Sequence, residues 1–313
     1  MSETTEMQHA LLGAPHEYLT PLEQPTLAEA QAWCTNLATS HDENFLLARF
    51  FLPGKVRPHF ESIYAYCRVA NDLGDEVEDR EVAARLLHTW GAMLEECYDA
   101  PERTMHPVFV ALHETIRECD PPRELFLDLL HGFRMNQYKT EYASWEELVE
   151  YSHYSANPVG RLVLWVCGYT DEARGLMSDK VCTGLHLANF WQDVVVDAER
   201  GRRYIPAESM LRFGVDEGQI VGRVFTPEFR AMMEDLVERT RAMLVEGGEI
   251  SRHVDKDLKV VLDLFRKGGE AILNGIAKDD YDVLRGRPVG SKLGKIGLLI
   301  EAAADKLRAG ISA

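Results

Sequence analysis

Residues 185–197 read LHLANFWQDVVVD. Apolar side chains recur here at helical spacing, with Val181, Leu185, Ala188, Trp191 and Val195 on one stripe. Beside that stripe His186, Asn189, Asp193 and Asp197 follow at intervals of three or four, so a helix sets them in one row. Ser178 is a good N-cap and Gly201 a good terminator, which predicts a helix from Ser178 to Arg200.

Two carboxylates one turn apart repel, at a cost of roughly 0.2–0.5 kcal/mol in an isolated helix. A divalent cation reverses that sign, because Mg²⁺ takes oxygen ligands, usually one or two carboxylates together with substrate phosphates. Asn189 adds an amide oxygen to the row. With 51 acidic residues in 313, chance alone gives roughly eight i,i+4 acidic pairs, most of them solvated faces. What sets Asp193 and Asp197 apart is the Leu, Phe, Trp and Val around them, since unpaired charge against an apolar wall is expensive.

About 120 residues earlier lies a second acidic cluster, AYCRVANDLGDEVED (65–79). It falls in a helix predicted from Lys55 to Asp79, with Val56, Phe60, Ile63, Cys67, Ala70 and Gly74 as its apolar stripe. Arg57, Glu61, Arg68, Asp72, Asp75 and Asp79 share another face. Alone, the cluster reads as an acidic helix end with an Arg68–Asp72 ion pair. Together, the two acidic helices suggest a clamp that holds metal ions on either side of a diphosphate.

The remaining sequence narrows the setting. The formal net charge of −17 argues against nonspecific nucleic-acid binding, and an anionic ligand would need local cations. Cys34, Cys67, Cys97, Cys119, Cys167 and Cys182 show no CxxC pair and no zinc spacing, so reduced core thiols are expected. The N-terminus lacks the basic start and apolar core of a signal peptide, and no run reaches about 18 apolar residues. A cytoplasmic protein is therefore expected, with peripheral membrane contact open because KIGLLIEAAADKLRAG (295–310) is mildly amphipathic. Residues 1–26, with Pro15, Pro21 and Pro25, read as an N-terminal surface arm. From 27 to 313 the 3.6-residue period predicts a single all-α domain, broken at Pro53-Gly54, Pro101, Pro121-Pro122, Asn157-Pro158, Gly201, Pro206, Gly247-Gly248 and Arg287-Pro288.

At this point the motifs resemble a known family. NDLGDE (71–76) after YAYCR (64–68), and NFWQDVVVD (189–197) before RGRRYIP (200–206), resemble the two aspartate-rich motifs of the squalene/phytoene synthase family. ENF (43–45) before FLPGKVRPH, YSHYSANPVGRL (151–162), GGEAIL (268–273) and YDVLRGRP (281–288) resemble its hydroxysqualene synthase branch, from bacterial hopanoid biosynthesis. The resemblance implies an isoprenoid synthase-type helical bundle around a central cavity. It implies an enzyme that takes presqualene diphosphate, releases diphosphate and captures the rearranged cation with water. It also implies Mg²⁺ at Asp72, Asp75, Asn189, Asp193 and Asp197, and substrate contacts from Asn44, Phe45, Tyr64, Arg68, Asn71, Arg203 and Tyr204; His186, one turn before Asn189, reads either as a substrate contact that orients a water or phosphate or as a core histidine. No obligate protein partner and no NADPH are implied. The absence of a GxGxxG strand–helix unit agrees with the latter only mildly, because reductive relatives bind their cofactor without that motif.

Two positions depart from the family pattern: Asn71 stands where the first motif usually opens with Asp, and Asn136 where the helix following Asp128 usually carries one. Each exchanges a carboxylate for a neutral amide, a weaker ligand for a hard cation. Two other functions stay open on the sequence. One is head-to-head condensation of farnesyl diphosphate, to presqualene diphosphate and squalene or to phytoene. The other is a non-catalytic lipid-binding or assembly role on the same fold.

Overall fold

The computed structural model describes residues 11–41 and 51–286. Among them the regular structure is helical, apart from one isolated parallel bridge between Glu141 and Arg203. No described helix is long and apolar enough to cross a membrane. Chain breaks fall at the Pro and Gly positions expected: helices end before Pro101, Pro121 and Gly201, begin after Pro206, and turn at Gly247–Gly248. Arg287-Pro288 and the 295–310 segment lie outside the described residues.

Contacts divide the described residues into two compact units, those up to 138 with 161–170, and 139–160 with those from 171 onward. In the first unit the Arg57–Asp75 helix packs against Leu27–His41, Arg80–Asp99, Pro107–Cys119 and Arg123–Met135. Tyr66 anchors this core. Its ring centroid lies 5.1 Å from Phe126 and 5.9 Å from Trp90, and its hydroxyl donates to the Phe126 carbonyl at 3.1 Å. Fully burying side chains of this size stabilises a core by about 1.5–3 kcal/mol each.

The Arg57–Asp75 helix is shorter than the period predicts at both ends. It stops at Asp75, and Asp79 belongs instead to the next helix, Arg80–Asp99, which it caps by accepting the Glu81 and Val82 amides on its carboxylate. Glu61, expected on the polar face, is buried and takes the Thr35 hydroxyl. The helix is thus enclosed on more than one side, which a single apolar stripe cannot reveal.

In the second unit Glu172–Gln192 is the central helix, packed against Pro227–Gly247 and Lys256–Lys278. Trp191 is fully buried and donates its indole N–H to Thr240 Oγ1 at 2.8 Å. Gly184 makes the close approach possible, since a Cβ there would stand 2.8 Å from Leu244 Cγ. Here too the predicted limits need correction. The helix begins at Glu172, with the Asp171 carboxylate accepting the Arg174 amide, so Ser178 is a buried interior residue and not the cap. It also ends at Gln192: Asp193 leaves helical geometry (φ −104°, ψ 14°) and a second helix, Val194–Glu199, follows.

Candidate active site

The acidic residues of the first unit do not form one open row. Asp72 is buried, its side chain 2% exposed, with Arg68 one turn before it. Arg68 grips it with a fork: Nε to Oδ2 at 2.9 Å and Nη2 to Oδ1 at 2.8 Å. Oδ2 also accepts the hydroxyl of Tyr18. Burial and this bond to Asp72 together push the Tyr18 phenol well above its ordinary pKa, so it stays a donor. Arg68 Nη2 also meets Glu76 at 3.5 Å, and Nη1 lies outside these ion pairs. Asp75 faces outward and accepts the Asn71 side-chain amide at 3.3 Å, so the residue that departs from the family pattern hydrogen-bonds the carboxylate beside it. Tyr64 is half-buried on the same helix, and Asn136 ends the Arg123–Met135 helix. Asn44 and Phe45 lie outside the described residues.

In the second unit the row from residue 189 to 197 survives the helix break. The Asp193 amide donates to the Asn189 carbonyl at 3.0 Å and the Asp197 amide to the Asp193 carbonyl at 2.8 Å. The i,i+4 register therefore carries through the kink, with Asn189 exposed and both carboxylates partly so. Downstream, residues 203–208 run beside residues 140–143: Arg203 N–H bonds the Thr140 carbonyl at 2.7 Å and Ala207 N–H that of Tyr142 at 2.9 Å. This pairing lays Tyr204 flat on Phe190, ring centroids 3.7 Å apart and planes 7° from parallel. Tyr142 and Tyr151 extend the stack at 5.7 and 6.2 Å from Tyr204.

Arg203 is engaged as the structure stands, with Nη2 2.8 Å from Glu141 and Nη1 3.1 Å from the Ile205 carbonyl. Phe190, Asp197, Arg203, Tyr204 and Ile220 line a recess of about 70 Å³. That is room for an ionic group, far under the roughly 300–1,000 Å³ of drug-sized ligand pockets. His186 packs 4.2 Å from Phe190, with Ser152 and Ser155 hydroxyls 3.1 and 3.4 Å from its Nδ1. Desolvation pushes its pKa down to about 4, so near neutral pH it is an uncharged imidazole.

Among the described residues no three His, Cys, Asp or Glu side chains converge as a closed metal cage. Mg²⁺ does not require one, because it is bound by one or two carboxylates and completed by waters and substrate phosphates. The in-register, partly exposed Asp193/Asp197 pair fits such an ion. Asp72 fits less well, because its oxygens are buried against Arg68 and Tyr18. Tyr18 and the Tyr142–Tyr151 stack are the site features that the sequence does not signal: Tyr18 sits in an aperiodic Pro-rich segment, and the tyrosines read as ordinary core.

These motifs on an all-helical chain define an isoprenoid synthase-type enzyme, and comparison with known proteins specifies which. A family model described as squalene/phytoene synthase matches residues 38–293. The chain belongs to the squalene/phytoene synthase family. It is 31% identical over 274 residues to a hydroxysqualene synthase of Zymomonas mobilis subsp. mobilis, covering 85% of this chain and 89% of that protein. The crystal structure of squalene synthase HpnC from Alicyclobacillus acidocaldarius superposes with a TM-score of 0.77 at 37% identity, over 87% of this chain and 98% of that one. A dehydrosqualene synthase crystallised with a ligand gives a TM-score of 0.78 at 23% identity, covering 90% of this chain and 98% of that one, a likeness of fold. The expected all-α isoprenoid synthase fold is the fold of this protein.

Proposed function

We propose that the protein is a hydroxysqualene synthase: it converts presqualene diphosphate and water to hydroxysqualene and diphosphate. The observation that carries this is the inequality of the two acidic motifs. One keeps two partly exposed carboxylates in register, Asp193 and Asp197, while the other has Asp72 buried under Arg68 and an amide at Asn71. One strong motif and one weakened one suit one diphosphate better than two. The hydroxysqualene synthase relative supports the same choice.

In this reading Asp193, Asp197 and Asn189 would hold Mg²⁺, and Asp75 is the candidate ligand on the first motif. When bound there, the ion supplies Lewis-acid neutralisation of the departing diphosphate. Arg68 gives paired N–H donors to phosphate oxygens, the contact for which a guanidinium is best shaped. The carbon–oxygen bond breaks with its electrons on the diphosphate. An aromatic-walled apolar pocket then favours a cation by about 0.5–2 kcal/mol for each ring face turned to it. A neutral His186 leaves that field undisturbed. Water closes the reaction, so no NADPH is consumed, and the lipid substrate and product make peripheral membrane contact a natural accompaniment.

The 37% identical structure, a squalene synthase, favours a second reading: squalene formation from farnesyl diphosphate. Mass spectrometry of products from presqualene diphosphate and from farnesyl diphosphate, each with Mg²⁺ and with or without NADPH, separates the two. Hydroxysqualene from presqualene diphosphate, independent of NADPH, is expected. Consumption of farnesyl diphosphate alone overturns the proposal. Unchanged turnover in an Asp193→Ala/Asp197→Ala variant removes the metal mechanism.

A further inference from the structure

Tyr18 lies twenty residues before the region matched by the family model, which begins at residue 38, yet its hydroxyl is on Asp72. The segment around it is fastened to the first unit at several points. The Arg85 guanidinium donates to the Leu12 carbonyl at 2.8 Å, and the Gln24 amide to the Thr104 carbonyl at 2.7 Å. His106 accepts the Val108 amide on Nδ1, so its Nε2 carries the proton and donates to the Tyr18 carbonyl, 3.2 Å away. Trp33 stands edge-on to both the Tyr18 and His106 rings, at 6.5 and 5.6 Å. Residues 1–26 are read from sequence as a surface arm, and most of the described part, 11–26, is exposed, but Leu11 and Tyr18 are buried at 0 and 2% exposure.

A phenol buried in the middle of a strap fastened on both sides of it, and bonded to the carboxylate that holds an arginine, has a defined mechanical effect. The Tyr18 hydroxyl shares Asp72 Oδ2 with Arg68 Nε, so it fixes the carboxylate plane and with it the direction of the guanidinium. We propose that Tyr18 is a positioning residue: it locks the Asp72–Arg68 fork so that Arg68 presents its remaining N–H groups to the substrate diphosphate. This rests on the reading of Arg68 as a diphosphate contact. The N-terminal strap is then a working part of the active site, added from outside the region that the family model matches.

The test is calorimetric titration of the full chain with inorganic diphosphate in the presence of Mg²⁺, for wild type, Tyr18→Phe, Arg68→Met and the double variant. Tyr18→Phe removes one oxygen and is expected to weaken binding about tenfold, as loss of a hydrogen bond to an orienting charged group does. In the Arg68→Met background the same change is expected to have no effect. A purely structural role would weaken binding equally in both backgrounds, and that result overturns the proposal, as does unaltered affinity in Tyr18→Phe. Should Tyr18→Phe fail to fold, Gln24→Ala releases the strap at Thr104 and is expected to weaken binding two- to threefold; unaltered affinity there overturns the proposal. If wild type binds no diphosphate, the reading of the site itself falls. If Arg68→Met alone binds like wild type, only Arg68 and its positioning are lost.

Discussion

Replacing Asp72 with Asn keeps the shape of the side chain and removes its charge, and the consequences follow from the geometry. Oδ2 receives Arg68 Nε and the Tyr18 hydroxyl, and Oδ1 receives Arg68 Nη2. An amide has one acceptor oxygen, so whichever way it turns, its NH₂ group faces an arginine N–H. A hydrogen bond to a charged group contributes about 1.5–3 kcal/mol. Breaking a fully buried ion pair costs about 3–5 kcal/mol. Arg68 keeps 29% of its side chain exposed, so water takes up part of that loss, and about 2–3 kcal/mol is the expected cost. For a folding unit of this size each kcal/mol lowers Tm by about 2–4 °C, giving a fall of about 4–12 °C. Arg68→Met is expected to be worse, at about 3–5 kcal/mol, because it leaves the 2% exposed Asp72 carboxylate with Tyr18 alone. Scanning calorimetry of the two variants beside wild type reads both numbers. If Asp72→Asn unfolds within 1 °C of wild type, or if Arg68→Met is the more stable of the two, the buried fork does not hold this helix as described.

Acid should weaken the fold in a defined window. His106 and His186 are both held near a pKa of about 4 by desolvation, against an ordinary value of 6.5. The unfolded chain therefore takes up protons first, and stability is expected to fall as pH drops from about 6.5 to 4, by up to about 1.4 kcal/mol per pH unit for each histidine. Urea unfolding as a function of pH measures this, and His186→Gln should remove one proton's share of the slope. Gly247→Ala should destabilise the second unit, because the new Cβ would stand 2.8 Å from the Met177 carbonyl oxygen and from the Val181 amide nitrogen, backbone that cannot turn aside. About 1–3 kcal/mol is expected from such overpacking, despite alanine's better helix propensity, and a thermal melt decides it.

The sequence by itself determined the fold class, the chain breaks among the described residues and the family. Periodicity, proline and glycine act locally, and the two motifs are contiguous, so one dimension holds them. The row Asn189–Asp193–Asp197 was legible for the same reason: an i,i+4 register survives even a kink that the period does not announce. Helix limits were less legible, because Asp79 and Asp171 cap helices whose starts the apolar stripes do not mark. Only the tertiary structure decided the fate of the first acidic cluster. Asp72, Asp75 and Asp79 look alike in sequence. Yet one is buried under Arg68 and Tyr18, one faces outward beside Asn71, and one caps the following helix. What separates them is how much water each keeps and which donors reach it, and for Asp72 the decisive donor comes from 54 residues away in sequence. A carboxylate's role depends on its desolvation and its partners, and both are set by packing.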